Sequence, residues 1–199
     1  MSEQQQQKVV TVGQTVPNFE MEVFDPKRND FGKISLEALL KEKKWVILCF
    51  YPADFTFVCP TELEELAGLY EEFKKAGAEV LSVSTDTVYV HKAWHDQSPS
   101  IAKIKFPMVA DPAGKLCRAF STYLEEQGLS LRGSFVIDPD GVLKASEIND
   151  NSIGRSGKEL LRKLQAAIFV REHKGEVCPA NWQPGKQTLK PNLDMVGKL

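Results

Sequence analysis

The chain has 199 residues, 25 Lys and Arg against 27 Asp and Glu, a formal charge of -2 and a hydrophobic fraction of 42%. That length suits a single domain with a proper core, and the near-balanced charge excludes the electrostatic footprint of a nucleic-acid or anionic-membrane binder, leaving small neutral or weakly polar substrates. No run of about 18 apolar residues is present, and the segment Met1 to Lys8 has neither an apolar core nor a cleavage pattern, so a cytoplasmic protein without a membrane anchor is expected.

Taken in chain order, Gln4 to Gln7 is a low-complexity stretch that reads as a solvated tail. From Lys8 to Phe31, short β-type segments are broken by Gly13, Pro17 and Pro26. Ser35 to Leu40 reads as a short helix capped by Ser35. The apolar run Trp45 to Tyr51 is a buried strand. After Cys59, the spacing of Leu63, Leu66, Ala67, Tyr70 and Phe73 predicts a core helix ending near Gly77. Glu79 to Ser84 is a second strand, and Asp86 and Thr87 are the capping signal for a helix running through Trp94. Phe106 to Ala110 is a short third strand, followed by a helix around Lys115 to Phe120. Leu129 to Ile137 and Val142 to Ile148 flank Asp138-Pro139-Asp140-Gly141, a hairpin signal. Gly157 to Glu172 is the last long helix, and the tail from about residue 175 is irregular. A βαβ unit, then a β-hairpin, then a helix is the order of a thioredoxin-like α/β fold with an N-terminal extension, predicted as one domain over residues 1–199 with Cys178 in its tail.

The residues that carry chemistry begin with the four cysteines. In a reducing compartment, Cys49, Cys59, Cys117 and Cys178 argue for redox or catalytic use over a disulfide framework, and their scatter, with three histidines, argues against zinc. Cys59 lies between a buried strand and a helix, and Pro60 as first helical residue would place it at the N-cap, facing the positive end of the helix dipole. A thiol with a pKa near 8.5 is only about 3% thiolate at pH 7, whereas a depression of about two units makes it mostly thiolate. On this argument alone Cys59 reads equally as a nucleophile or as a buried structural cysteine. Glu62, as third helical residue, suits a capping box, with a bond to Arg132 as a further option. Thr56 reads as a turn hydroxyl, Pro52 as a strand-to-loop proline, Arg132 as a solvated strand residue, and Cys178 as an incidental tail cysteine. Cys49 and Cys117 read as inert core. His91 and His95 have the spacing of a zinc helix, but Lys92 stands where a metalloprotease motif needs Glu, so both read as helix surface. Trp94 reads as a packing residue.

The string Pro52-x-x-x-Thr56-x-x-Cys59 resembles the active-site segment of the peroxiredoxins. Arg132 to Asp138 resembles the family's Arg-x-x-Phe-x-Ile-Asp segment, and Val177-Cys178-Pro179-Ala180-Asn181-Trp182 resembles the motif around the resolving cysteine of typical two-cysteine peroxiredoxins. The similarity runs from Val16-Pro17-Asn18-Phe19 to Leu199 and is greatest to the bacterial alkyl hydroperoxide reductase C type. The resemblance implies a thiol peroxidase in which Cys59 is oxidised to sulfenic acid and resolved by Cys178 of another subunit. Thr56 and Arg132 would then act as donors to the sulfur and the peroxide, and Pro52 as a shield of the thiolate. It also implies hydroperoxide substrates, a flavoprotein or thioredoxin-type dithiol reductant, antiparallel dimers in a ring of five, and no cofactor or metal. Two elements of oxidation-sensitive relatives, a Gly-Gly-Leu-Gly loop and a C-terminal Tyr-Phe, are replaced here by Ser98 to Lys103 and Gly197 to Leu199. Resistance to over-oxidation is therefore expected. The alternatives are a thiol-disulfide oxidoreductase, which would want Cys where Thr56 stands, and a ring-shaped chaperone, which would not need Cys59.

Overall fold

A computed structural model describes residues 9–198; the Gln4 to Gln7 run and the terminal Leu199 lie outside the described residues. The fold divides into two compact units, one up to Gly157 and one from Lys158 onward. The first is built on a seven-stranded mixed sheet.

Strands β1 (Glu20–Asp25) and β2 (Asp30–Ser35) form an antiparallel hairpin that supplies the N-terminal extension. Helix α1 (Leu36–Lys41) follows, and the Ser35 hydroxyl accepts from the Ala38 N–H at 3.2 Å, the predicted cap. Strand β3 (Trp45–Phe50) is buried at all six positions. A continuous apolar run of this kind belongs to a strand covered on both faces, and β3 sits between parallel and antiparallel neighbours. Helix α2 (Cys59–Lys75) then runs above the sheet and returns the chain to β4 (Ala78–Ser84), which pairs parallel with β3. Leu63, Leu66, Tyr70 and Phe73 are buried along one stripe of α2. At roughly 1.5–3 kcal/mol for each large apolar side chain, that stripe holds the helix far more firmly than its intrinsic propensity does.

Helix α3 (Val88–Gln97) leads through a 3-10 turn, Ile101–Lys103, to β5 (Met108–Ala110), which pairs with both β4 and β1. The predicted cap of α3 is not used. Thr87 is the N-cap but makes no side-chain bond to the helix, and the Asp86 carboxylate turns away to accept from the Asp54 N–H and the Ser84 hydroxyl. After α4 (Lys115–Ala119), the predicted first hairpin arm is split in two. Leu129–Ser130 (β7) pairs with Tyr123–Leu124 (β6) in a separate small ladder, and the arm proper starts at Arg132 as β8 (Arg132–Ile137), antiparallel to β3 and to β9 (Leu143–Asn149). The sheet order is therefore β2-β1-β5-β4-β3-β8-β9. One face of it is filled by Val46, Leu48 and Phe50 with Leu81, Val83, Val109 and Ile137, where Phe50, Phe120 and Phe135 meet with centroids 4.7–5.5 Å apart.

The second unit consists of most of helix α5 (Gly157–Glu172) and the segment after it. Among the described residues that segment is irregular apart from a single bridge, Val177 to Leu189, and a 3-10 turn, Leu193–Met195. No helix among the described residues is long and apolar enough to cross a membrane.

Candidate active site

Cys59 lies where the central strand has just left the sheet and α2 begins. Helix α2 starts one residue earlier than Pro60 suggested, with Val58 as N-cap, Cys59 as first helical residue and Pro60 as second. The correction is small in position but changes the local picture: the sulfur hangs from the first turn itself, and the N-cap residue has no side chain able to bond it. Cys59 is fully buried.

The cation beside it comes from the start of β8. Arg132 is 2% exposed, and its Nη1 donates to Cys59 Sγ at 3.3 Å and to Glu62 Oε2 at 2.7 Å, while Nε donates to the Asn151 carbonyl at 2.9 Å. Three acceptors fix the plane of the guanidinium, which a lysine could not reproduce. Close packing helps aim it, because a Cβ on the neighbouring Gly133 would come within 2.7 Å of the Phe135 ring and of the Thr122 methyl.

Glu62 is not a capping-box residue. Its carboxylate accepts from Arg132 and, on the other side, from the Arg155 backbone N–H at 2.7 Å, Arg155 Nε at 2.9 Å and Nη2 at 3.2 Å. Burial alone would push the Glu62 carboxyl up, but the bonds and charge of Arg155 and the charge of Arg132 outweigh it and hold the group below the usual carboxylate range. Two guanidiniums around one carboxylate leave a positive charge over. An anion on the Cys59 sulfur, or on an oxygen bound next to it, restores the balance.

Arg155 is the residue that sequence reasoning missed. It also donates to the Gly133 carbonyl and to Ser134 Oγ, so it ties the loop before α5 to β8. The only signal in the sequence was a charged residue between two glycines, Gly154 and Gly157, just ahead of a helix.

The loop between β3 and α2 holds the remaining predicted residues. Pro52 is buried. Thr56 is half-buried, and its hydroxyl donates to the Ala53 carbonyl at 2.9 Å. Its oxygen therefore has only lone pairs left to offer the site in this state, as in the turn-hydroxyl reading.

Cys178 belongs to the second unit. It is half-buried, and its thiol lies 3.9 Å from the Ala166 carbonyl. Burial pushes its thiol up, against the pull of Arg162. Cys49 and Cys117 are buried, and desolvation first of all pushes each thiol up to about 12. His91 overturns its surface reading. It is fully buried and faces Asp54, because it shares the inward stripe of Val88 and Trp94 on α3. His95 is half-buried. Trp94 packs against Tyr51 and Phe55, with centroids 6.1 and 6.0 Å apart.

A thioredoxin-like α/β fold presenting one buried thiol at a helix N-terminus, beside a fixed arginine, is the arrangement of a thiol-dependent redox protein. Residues 12–146 match the model of the AhpC/TSA family, and residues 168–198 match that of the C-terminal domain of 1-Cys peroxiredoxin. Alkyl hydroperoxide reductase C of Staphylococcus saprophyticus is 50% identical over 91% of this chain and 95% of its own, and that of Staphylococcus aureus is 52% identical over the same shares. Among solved structures, Enterococcus faecalis AhpC superposes with a TM-score of 0.81 at 46% identity, covering 86% of this chain and all of its own. The reduced 2-Cys peroxiredoxin of Plasmodium vivax superposes with a TM-score of 0.86 at 35% identity, covering 92% and 94%. The chain belongs to the AhpC/TSA family of peroxiredoxins.

Proposed function

We propose that this chain is a thiol-dependent peroxidase that reduces hydrogen peroxide and alkyl hydroperoxides. The observation that carries the reading is the buried contact of Arg132 Nη1 with Cys59 Sγ at 3.3 Å. The Cys59 thiolate attacks one peroxide oxygen, the O–O bond breaks, and the sulfur becomes a sulfenic acid while the leaving oxygen takes a proton and departs as water or alcohol. Negative charge spreads from sulfur over both oxygens in the transition state, so a fixed guanidinium aimed at that line stabilises it more than the ground state. Pro52 narrows the approach and keeps water off the sulfur, Thr56 offers its oxygen to the peroxide, and Glu62 keeps Arg132 in its plane.

Cys178 of a second subunit then attacks the sulfenic sulfur, a disulfide forms and water is released. A dithiol reductant, either a flavoprotein disulfide reductase or a thioredoxin-type protein, returns both thiols. In this reading the whole chain serves as one catalytic domain in the cytoplasm, its irregular tail from about residue 175 carries the resolving thiol, and dimers assemble into a ring of five. The Ser98 to Lys103 segment, in place of a glycine loop, favours resolution over a second peroxide attack, so Cys59 should survive excess peroxide mainly as disulfide.

Steady-state consumption of hydrogen peroxide and cumene hydroperoxide with each reductant class tests the activity, and a non-reducing gel of the oxidised protein tests the pairing. A disulfide-linked dimer is expected. A monomer with an intrachain link would refute resolution by a second subunit, and absence of peroxide consumption would refute the activity.

A further inference from the structure

Helix α3 reaches the loop ahead of Cys59 with two side chains one turn apart. Trp94 meets the Phe55 ring, and His91 Nδ1 lies 2.7 Å from Asp54 Oδ2, with both side chains of this polar pair wholly shielded from solvent.

The partners of the imidazole determine how many protons it shares. His91 Nε2 lies 3.1 Å from the Val109 carbonyl, which can only accept, so Nε2 carries hydrogen. A hydrogen must also lie in the contact with Asp54, either as Nδ1–H facing a carboxylate or as a carboxyl O–H facing a bare Nδ1. Asp54 Oδ1 is already taken by the Tyr51 hydroxyl, which donates at 2.7 Å. One proton is therefore common to His91 and Asp54, and removing it leaves a buried carboxylate against a nitrogen lone pair. Burial pushes the Asp54 carboxyl up, against the pull of His91. The groups facing this pair are Tyr51 from the residue just after β3, Ser84 and Asp86 from the end of β4 and the turn after it, and the Val109 carbonyl from β5.

What the pair holds is a strained turn. Phe55 adopts φ 56°, a left-handed conformation that is unfavourable for a bulky L-residue and persists only where its surroundings impose it. The Asp54 N–H donates to Asp86 Oδ2 at 2.8 Å, so Asp54 is held by backbone and by both carboxylate oxygens. On its other side, the Ala53 carbonyl receives the Thr56 hydroxyl. His91 thus fixes Asp54, and Asp54 fixes the turn that orients Thr56 and leads into Cys59.

We propose that His91 and Asp54 are a proton-sharing pair of positioning residues, which hold the Pro52 to Thr56 turn in its reactive conformation and release it when the shared proton is lost at alkaline pH. The effect on turnover rests on the peroxidase reading above. An isostere separates a proton-dependent role from a merely structural one. In Asp54→Asn the amide donates to a neutral Nδ1 and the carbonyl accepts from Tyr51, so every bond survives with no proton to lose.

The test is the second-order rate of peroxide reaction between pH 5 and 10 for wild type, Asp54→Asn, Asp54→Ala and His91→Leu, with circular dichroism to check folding. Asp54→Ala and His91→Leu should react ten- to a hundred-fold slower. Asp54→Asn should stay within about three-fold of wild type at neutral pH and lack its alkaline decline. Iodoacetamide labelling of Cys59, read by peptide mass spectrometry, gives a measure independent of peroxide. Loosening the turn exposes the buried thiol, so labelling should accelerate in Asp54→Ala and stay at the wild-type rate in Asp54→Asn. A wild-type rate or labelling profile in Asp54→Ala, or an Asp54→Asn pH profile that superimposes on wild type, overturns the proposal. If Asp54→Ala and His91→Leu do not fold, the Asp54→Asn profile alone decides. A wild-type protein that consumes no peroxide refutes the peroxidase reading instead, and the labelling experiment still judges the pair.

Discussion

The two thiols proposed for the redox cycle sit in opposite kinds of surroundings. Cys59 is fully buried on the first turn of a helix, 3.3 Å from a guanidinium that is itself bonded to a carboxylate and a carbonyl. Cys178 is half-buried in an irregular segment, with one weak contact at 3.9 Å to a backbone carbonyl. The difference matches two tasks. A nucleophile whose transition state is stabilised by a fixed neighbouring cation benefits from being held against it before the reaction begins, whereas a group that must travel to meet a sulfenic acid benefits from having little to give up.

The strongest way to break this contrast is to remove each thiol. Cys59→Ser should abolish peroxide consumption altogether. Cys178→Ser should keep the first oxidation at its normal rate, with one equivalent of peroxide consumed per subunit, and then stall for want of a resolving partner. Single-turnover stopped-flow measurements distinguish the two, and normal steady-state turnover by either variant would dissolve the assignment.

Next in size is the loss of the fixed cation. Arg132→Ala should slow the reaction of Cys59 with peroxide by about 10²–10³-fold, the scale seen when one preorganised donor to a developing negative charge is lost. Arg132→Lys should recover little of it, because a point charge cannot meet three acceptors in one plane. A lysine variant at the wild-type rate would show that charge alone suffices.

Glu62 sharpens the comparison through stability. Removing this carboxylate strands two buried guanidiniums, so Glu62→Ala should cost about 3–5 kcal/mol at neutral pH. Because the folded-state carboxyl is held below its ordinary value, its contribution is complete above the ordinary carboxylate range and disappears as pH falls through the lowered value. Urea midpoints of wild type and Glu62→Gln should therefore differ at pH 7 and converge in acid. A gap that stays constant with pH would contradict the ion-pair assignment.

The smallest effect is expected at the remaining cysteines. With their thiols pushed up to about 12 by burial, Cys49 and Cys117 hold almost no thiolate at neutral pH. Cys49→Ala and Cys117→Ala should leave the peroxide rate within about two-fold and lower stability by the cost of a small cavity, measurable as a shift in urea midpoint. Iodoacetamide labelling of either residue at a rate comparable to that of Cys178 would show that burial does not silence them.

What the sequence determined by itself is local. The apolar run of β3, the stripe along α2, the Ser35 cap and the Pro and Gly placement between β8 and β9 each express a short-range preference, and each element formed close to where it was expected. The junction of strand, proline and helix located Cys59 to within one helical position of its actual place. Arg132 could be named only because the string around it resembles a family segment, since a strand arginine is ordinarily solvated. The tertiary structure decided the partners. Glu62 and Arg155 lie 93 positions apart, and the carboxylate forgoes the cap because two guanidiniums offer it charged bonds in a buried site. His91 had the spacing of Val88 and Trp94 on the inward face of α3, yet its polarity suggested a surface. Only the fold could bring Asp54 and the Val109 carbonyl to it, with Tyr51 bonding Asp54 from behind, and a buried imidazole is tolerated where every one of its hydrogen-bonding atoms is met. Periodicity tells which side of a helix turns inward; it does not tell what is waiting there.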